Sequence, residues 1–510
     1  MNHTTIELGD RCLRVYPTYP ESLLKKLKFW KRELEWSEER MARISTGHYQ
    51  ELYTISKNID SLTNVLVETL VTYAGLAHRV KQHLEAECWT YDVIDKRTKF
   101  IAPDFKAAFA HLRNYQYESV YMMLMSLGGV ASAPTGFGKT ALIAGIAQAF
   151  PHESLKLRGT PTIVIAAPDK DINRKNYNDF INPELNFMPG RDVGLLMSGH
   201  NKISDDVQVV TLGSLHRLNP NDVGVLIIDE VHTAASSKRS EVVMSFPRAL
   251  RYGVSATPSG RYDGADLMTE AMFGPPVYTC TYAQAVEFGA LVPISVFWIE
   301  CPEPGIGIGK YLNYKTRDGK VRHGIIRNKP RNVIIADLLK KLPEDMQALC
   351  ITQRIEHLQY MLEQAPDIDY VHGTTRADKV TKFPLVDAVT TKERIAKYNL
   401  MRDAKINRMF STYIYKQGVN FPELELVINA GGGGSEIVAK QIPGRESRKV
   451  DGKEKAILID FCHPWDTVTD KAKIKPGPLA ADDKSREKAY KNLGFEQVWL
   501  KSIDELPMLQ

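Results

Sequence analysis

Ala133-Pro-Thr-Gly-Phe-Gly-Lys-Thr140 is a glycine-rich turn between an apolar run, residues 128 to 133, and an alanine-rich apolar run from Ala141 to Phe150. The first run reads as a buried strand and the second as a helix packed on a sheet. Gly136 and Gly138 let backbone N–H groups, with Thr135 in the same turn, curl around phosphate oxygens at the positive end of that helix. Lys139 is then placed for the β- and γ-phosphates of ATP, and the Thr140 hydroxyl for Mg²⁺. Ala133 stands where the usual pattern has glycine, and a fortuitous turn is the alternative reading.

The next decisive stretch is Val225-Leu-Ile-Ile-Asp-Glu-Val-His232. Four apolar residues predict a central strand with two carboxylates at its end. Asp229 suits the Mg²⁺ that bridges the phosphates, and Glu230 suits orientation and deprotonation of an attacking water. Uncompensated charges are costly to bury, so the pair has no cheap structural explanation. Ser255-Ala-Thr-Pro258 closes another short apolar stretch, and the hydroxyls of Ser255 and Thr257 are candidates for linking the acidic strand end to a further domain. Taken singly it is a common strand-to-loop exit.

Short apolar strands alternating with helices from about Lys106 predict a parallel sheet with crossover helices. Upstream of the loop, Tyr115-Gln116 offers an amide that can pair with N6 and N7 of adenine, a surface glutamine being the alternative. Strands at 162 to 167 and 207 to 211 place Arg174, Thr211 and Ser214 near the carboxyl edge, where open α/β sheets hold ligands. They are candidates for a nucleic-acid backbone, with loop-closing hydroxyls as the alternative for Thr211 and Ser214.

The ordered set Tyr115-Gln116, Gly-Lys-Thr, Asp-Glu-x-His and Ser-Ala-Thr resembles the first RecA-like lobe of the superfamily 2 helicases and translocases, in their Asp-Glu-x-His subgroup. The resemblance implies a second such lobe closing on ATP. Gln441-Ile-Pro-Gly-Arg-Glu-Ser-Arg448 matches its arginine-finger motif, with Gln441, Arg445 and Arg448 as site residues; in isolation it reads as a surface basic helix. Arg354 and Thr412 fall where the family touches nucleic acid, and Gly418 and Asn420 near the nucleotide. Asn420 departs from the usual aspartate.

Around this motor, residues 1 to 105 read as a small α+β domain: a strand pair over 6 to 16, a helix from about Glu21 with Leu23, Leu27, Trp30 and Leu34 on one stripe, a second helix over 76 to 84 and a strand over 89 to 94. On the first helix Lys25, Lys28 and Arg32 form a basic face, read either as a DNA contact or as solvated cover over a core containing Trp30. The segment balances 15 basic against 15 acidic residues, so any nucleic-acid surface there must be local. Residues 310 to 331 hold eight basic residues and one acid, including Lys315, Arg317, Lys320 and Arg322; a DNA-contacting hairpin turning at Asp318-Gly319 competes with a mobile linker. Residues 466 to 510 balance eight basic and eight acidic residues and read as a short helical tail.

The expected architecture is thus α/β, two tandem RecA-like lobes: residues 1–105 accessory, 106–298 the first lobe, 299–465 the second, 466–510 the tail. No apolar run approaches the roughly 20 residues of a membrane span, and no leader is evident before Glu7, Asp10 and Arg11; a cytoplasmic monomer without membrane partners is expected, in the host cytoplasm if phage-encoded. The run from Ser255 to Gly264 looks similar to phage helicases of the UvsW type. That similarity implies 3′→5′ unwinding and remodelling of branched DNA, including R-loops with their RNA–DNA hybrids. An RNA helicase, a motor subunit of a restriction complex and an ATP-gated clamp remain alternatives; Glu230 argues against the clamp, which needs no base.

Overall fold

Val223–Asp229 is buried at every position and lies inside an eight-stranded sheet, because a strand covered on both faces must be apolar throughout. The structure is a computed structural model that describes residues 2–37, 42–59, 66–97, 102–256, 264–374, 376–412, 421, 423–434, 453–470 and 473–509, and strands are counted among these. Contacts divide the chain into two units, Met1–Pro134 with Gly138–Cys280, and Thr135–Phe137 with Thr281–Gln510.

In the first unit the sheet runs His200–Lys202, Val193–Met197, Val207–Thr211, Thr162–Ala167, Val223–Asp229, Leu250–Ser255, Gly129–Ser132, Pro276–Thr279. All neighbours are parallel except the first pair. Parallel pairing demands crossovers, and helices such as Lys139–Gln148 and Lys170–Ile181 supply them. A second sheet, five strands ordered Tyr53–Ile59, Leu66–Tyr73, Cys12–Tyr16, His3–Leu8, Thr90–Asp95, forms the N-terminal α+β layer. Its core is continuous with that of the larger sheet: Ile6, Leu70 and Leu76 belong to one apolar cluster with Met272 and Phe273. Arg79 adds a bidentate pair to Glu270, both bonds 2.6 Å. Against the desolvation of burial, hydrogen bonds from His78 and Arg79 hold the Glu270 carboxyl below its usual range.

The helix predicted from Glu21 to Leu34 is corrected. Only Ser22–Lys26 is helical; Lys28–Ser37 is a strand paired residue by residue with Ala42–Glu51. The 3–4 spacing of Leu23 and Leu27 is real, since both are buried. Beyond them the aromatic Phe29, Trp30 and Trp36 suit a strand, and a full ladder of pairing outweighs helix continuation. Lys25 is exposed on the helix, whereas Lys28 and Arg32 lie on the strand, so the three do not form one helical face. The side chain of Arg32 lies outside the described residues.

The second unit carries a seven-stranded sheet, Asp369–Val371, Arg408–Thr412, Gln347–Thr352, Leu424–Asn429, Ala456–Cys462, Ile294–Glu300, Glu496–Leu500, parallel throughout. Two expectations change here. The basic stretch is neither a hairpin nor a loose linker: it forms helices Ile308–Leu312, Arg317–Val321 and Lys329–Lys341 with a π-helical turn at Arg322–Ile326. Asp318 and Gly319 sit inside the second of these, whose N-cap Thr316 accepts from the Gly319 N–H at 3.1 Å. Its cations are answered by acids remote in sequence: Lys320 is buried over the Tyr311 ring at 4.1 Å with Asp466 at 3.7 Å, Arg317 meets Asp482 at 2.5 Å, and Arg322 meets Glu356 at 3.4 Å. Lys315 alone of the four candidates is exposed with no ion pair among the described residues.

The acidic partners explain the tail. Pro478–Asn492 is a helix and Glu496–Leu500 adds an edge strand beside Ile294–Glu300. Arg486, 2% exposed, donates to both oxygens of Asp460, at 2.8 and 3.0 Å, and to Asp483 at 3.0 Å. Tyr490 adds a bond of 2.9 Å to Asp460. Removing one member of a buried ion cluster strands the other charges, at a cost of about 3–5 kcal/mol. Arg486→Ala should therefore shift the urea midpoint of the transition followed by Trp298, whose ring lies 5.5 Å from the guanidinium, to markedly lower urea. An unmoved midpoint would make the tail a dispensable appendage.

Candidate active site

The Gly129–Ser132 strand ends in the loop, and the following helix begins at Lys139. Gly136 and Gly138 take φ of 94° and 93°, a region that costs any other L-residue. At Gly138 there is a second reason: a Cβ would run into the Gln116 amide. Gln116 is 3% exposed, and its Oε1 accepts from the Arg113 N–H at 2.9 Å. It is no surface glutamine; it is buried against the loop. Tyr115 is half-buried and its hydroxyl accepts from Arg113 at 3.0 Å.

Asp229 ends the central strand with 7% exposure. Burial, then the neighbouring Glu230 charge, push its carboxyl above the usual carboxylate range, while Lys139, Asn176 and Lys175 pull the other way. The Asn176 amide donates to its Oδ2 at 3.3 Å, and the Glu230 N–H to its Oδ1 at 2.9 Å. Lys175, one residue before Asn176, donates to the Thr140 hydroxyl at 3.4 Å and to Asp179 at 2.6 Å. The Lys170–Ile181 helix therefore touches both the loop threonine and the strand aspartate.

Glu230 has φ of 51°, which turns the chain sharply out of the sheet. Its carboxylate accepts from Ser255 at 3.3 Å and lies 3.6 Å from His232, whose Nδ1 is 2.9 Å from the Ser255 hydroxyl. Glu230, His232 and Ser255 thus form one network at adjacent strand ends. Sequence reasoning assigned no role to His232, Lys175 or Asn176. The pair Asn173 and Asn176, three apart beside Ile172 and Phe180, is a polar interruption on an otherwise apolar buried helix face, and it carries no motif in the sequence.

Thr211 and Ser214 bond each other at 2.9 Å, and Arg174 lies 3.4 Å from Asp171. In the second unit Arg354 caps the Ile355–Leu362 helix and pairs with Asp318 at 2.7 Å, and Thr412 is buried at a strand end. Thr257, Gly418, Asn420, Gln441, Arg445 and Arg448 lie outside the described residues.

A cation in this site has partial support from the protein alone. Among the described residues no cluster of three or more His, Cys, Asp or Glu exists, so no all-protein cage is available. A buried aspartate with a raised pKa beside a threonine-bearing phosphate loop fits Mg²⁺, which keeps most of its shell as water and phosphate oxygens.

Residues 109–260 match the family described as type III restriction enzyme, res subunit, and residues 331–449 match the helicase conserved C-terminal domain. These domains make the chain an ATP-hydrolysing helicase, and its ordered motifs resemble those of superfamily 2. Within that class it resembles the ATP-dependent DNA helicase uvsW of Enterobacteria phage T4, 24% identical over 71% of this chain and 69% of that one. The DNA 3'-5' translocase XPB2 of Sulfurisphaera tokodaii is 26% identical over 69% of this chain and 81% of its own length. Among solved structures, the DUF1998 helicase MrfA bound to DNA shares the fold, with TM-score 0.51 and 14% identity over 81% of this chain and 54% of that chain. Among the described residues no helix is long and apolar enough to cross a membrane.

A carboxyl raised above its unfolded value, about 3.9, holds its extra proton only in the folded state, so stability falls as pH climbs from that value through the raised one. Asp229→Asn should therefore raise the melting temperature of nucleotide-free protein at neutral pH by about 2 °C in calorimetry. A lowered melting temperature would mean that Lys139 and Asn176 more than offset the cost of burial.

Proposed function

We propose that this chain is an ATP-driven DNA translocase of 3′→5′ polarity that remodels branched DNA, R-loops included. The observation that carries the motor is the convergence of Lys139, Thr140, Asp229, Glu230 and Ser255 within one unit. DNA as substrate is supported by the two relatives named above, the polarity by the translocase and the branched-DNA role by the resemblance to UvsW-type helicases.

In this reading the loop N–H groups and Lys139 bind the β- and γ-phosphates, and Gln116, with Tyr115 beside it, faces the adenine. Thr140 and Asp229 would hold Mg²⁺, which supplies charge neutralisation at the phosphates. Glu230 takes a proton from the attacking water; its carboxylate is aimed by Ser255 at 3.3 Å, and His232 holds the Ser255 hydroxyl at 2.9 Å. Movement at the Glu230 carboxylate thereby reaches the strand end that leads to Thr257. The resemblance gives Arg445 and Arg448, with Gln441, the role of neutralising transition-state charge. Gly418 and Asn420 act beside the nucleotide, and Arg174, Thr211, Ser214, Arg354 and Thr412 along the nucleic-acid backbone.

Glu230→Gln should bind ATP as the parent does and lose turnover by about a hundredfold or more, read as DNA-stimulated phosphate release beside equilibrium nucleotide binding. Unchanged hydrolysis would remove Glu230 from the role of base. The substrate is tested with the parent chain on forks, Holliday junctions, R-loops and RNA duplexes; preferential unwinding of RNA duplexes would replace DNA as the substrate.

A further inference from the structure

The paired strands Lys28–Ser37 and Ala42–Glu51 make a two-stranded ribbon that belongs to neither large sheet. Ten residues per strand give it a length of about 30 Å. An isolated hairpin is marginal in water, so its base has to be held by something else. Among the described residues, Phe29 packs against the core of the first unit, and two further approaches come from segments that follow the hydrolytic strand ends. Lys31 donates to the Ser237 hydroxyl at 2.9 Å, at the start of the helix that follows Glu230-Val-His232. Gly264, beyond Ser255, has φ of 75°, and a Cβ there would fall 2.6 Å from the Trp30 carbonyl oxygen.

Next to Lys31 on the same ribbon, two aromatic rings are exposed. Trp30 is 48% exposed and Tyr49 61%; they are register partners, edge to face at 5.0 Å. Lys28 lies 5.1 Å over the Tyr49 ring, and Lys25 and Lys26 are exposed on the helix that feeds the strand. Exposed rings flanked by lysines match the chemistry of an unpaired nucleobase and its phosphate, since stacking needs a free base face and a duplex interior offers none. Glu51, the acid opposite Lys28, accepts a 2.8 Å bond from Tyr53 and is turned to that use.

We propose that the ribbon base is a stacking site for the first unpaired base at a duplex junction, with Trp30 as platform, Tyr49 fixing its angle and Lys28 on the adjoining phosphate. The site rests on the DNA translocase reading. Because Lys31 bonds Ser237 and the chain passes close to Trp30 at Gly264, the stacked base is tied to segments that follow Glu230 and Ser255 in the ATP-binding unit.

Full-length chain is photo-crosslinked to forked DNA carrying 5-iodouracil at the first unpaired position, or instead deep in the duplex. Peptides spanning residues 28–51 should be recovered from the junction label and not from the duplex label. Trp30→Ala should slow fork unwinding about tenfold, while Trp30→Phe restores most of it because the ring face remains. Junction crosslinks confined to other segments, or unwinding by Trp30→Ala at the parent rate, would overturn the stacking site. A parent chain whose ATPase ignores every nucleic acid would instead remove the translocase reading.

Discussion

A carboxylate at the tip of a wholly apolar strand is the constraint around which the first unit is arranged. Asp229 is drawn out of water by six buried residues behind it, and taking an ion out of water costs several kcal/mol. The surrounding elements each return part of that: Lys139 from the loop helix, Asn176 from the next crossover helix, and the Glu230 backbone from the sharp turn. Burial, with the adjacent Glu230 charge, still pushes the carboxyl above its usual range. A site left short of positive charge is one that favours a cation brought with a ligand.

The second unit contains a useful contrast. Asp460 is as deeply buried, on the Ala456–Cys462 strand, yet it accepts from Arg486, Tyr490, Asn429 at 3.1 Å and the Phe461 N–H at 2.7 Å. Nearby, burial works against the charged form of His463, but Cys301 and Asp483 hold its pKa up to about 9, so the cluster of charges is closed on itself. One aspartate is satisfied and structural; the other is held ready. Burial alone does not distinguish them, and the inventory of partners does.

The loop, the Asp-Glu-x-His strand end and the inner strands of the first sheet were legible in the sequence because their signals are local: glycines at a turn, apolar runs of strand length, carboxylates at a run's end. What was not legible depended on partners distant in the chain. Lys320 and Arg317 read as a free basic surface because Asp466 and Asp482 lie about 150 residues away. Trp30 read as helical because Leu23, Leu27, Trp30 and Leu34 keep helical spacing, and only pairing with Tyr49 fixes it as a strand residue. Asn176 carried no motif, and its meaning came from touching Asp229.

Strand order in the second sheet has a consequence for how the protein is made. Ile294–Glu300 is the first strand of that sheet to leave the ribosome, and its two neighbours, Ala456–Cys462 and Glu496–Leu500, are the last. Such non-local parallel pairing is slow to form. The nascent chain must therefore carry an unpaired apolar strand through the synthesis of nearly all of the second lobe, whereas the first lobe has all its strands in hand by Thr279. Synthesis favours a molecule whose first lobe is finished while its second is still waiting for its own C-terminus.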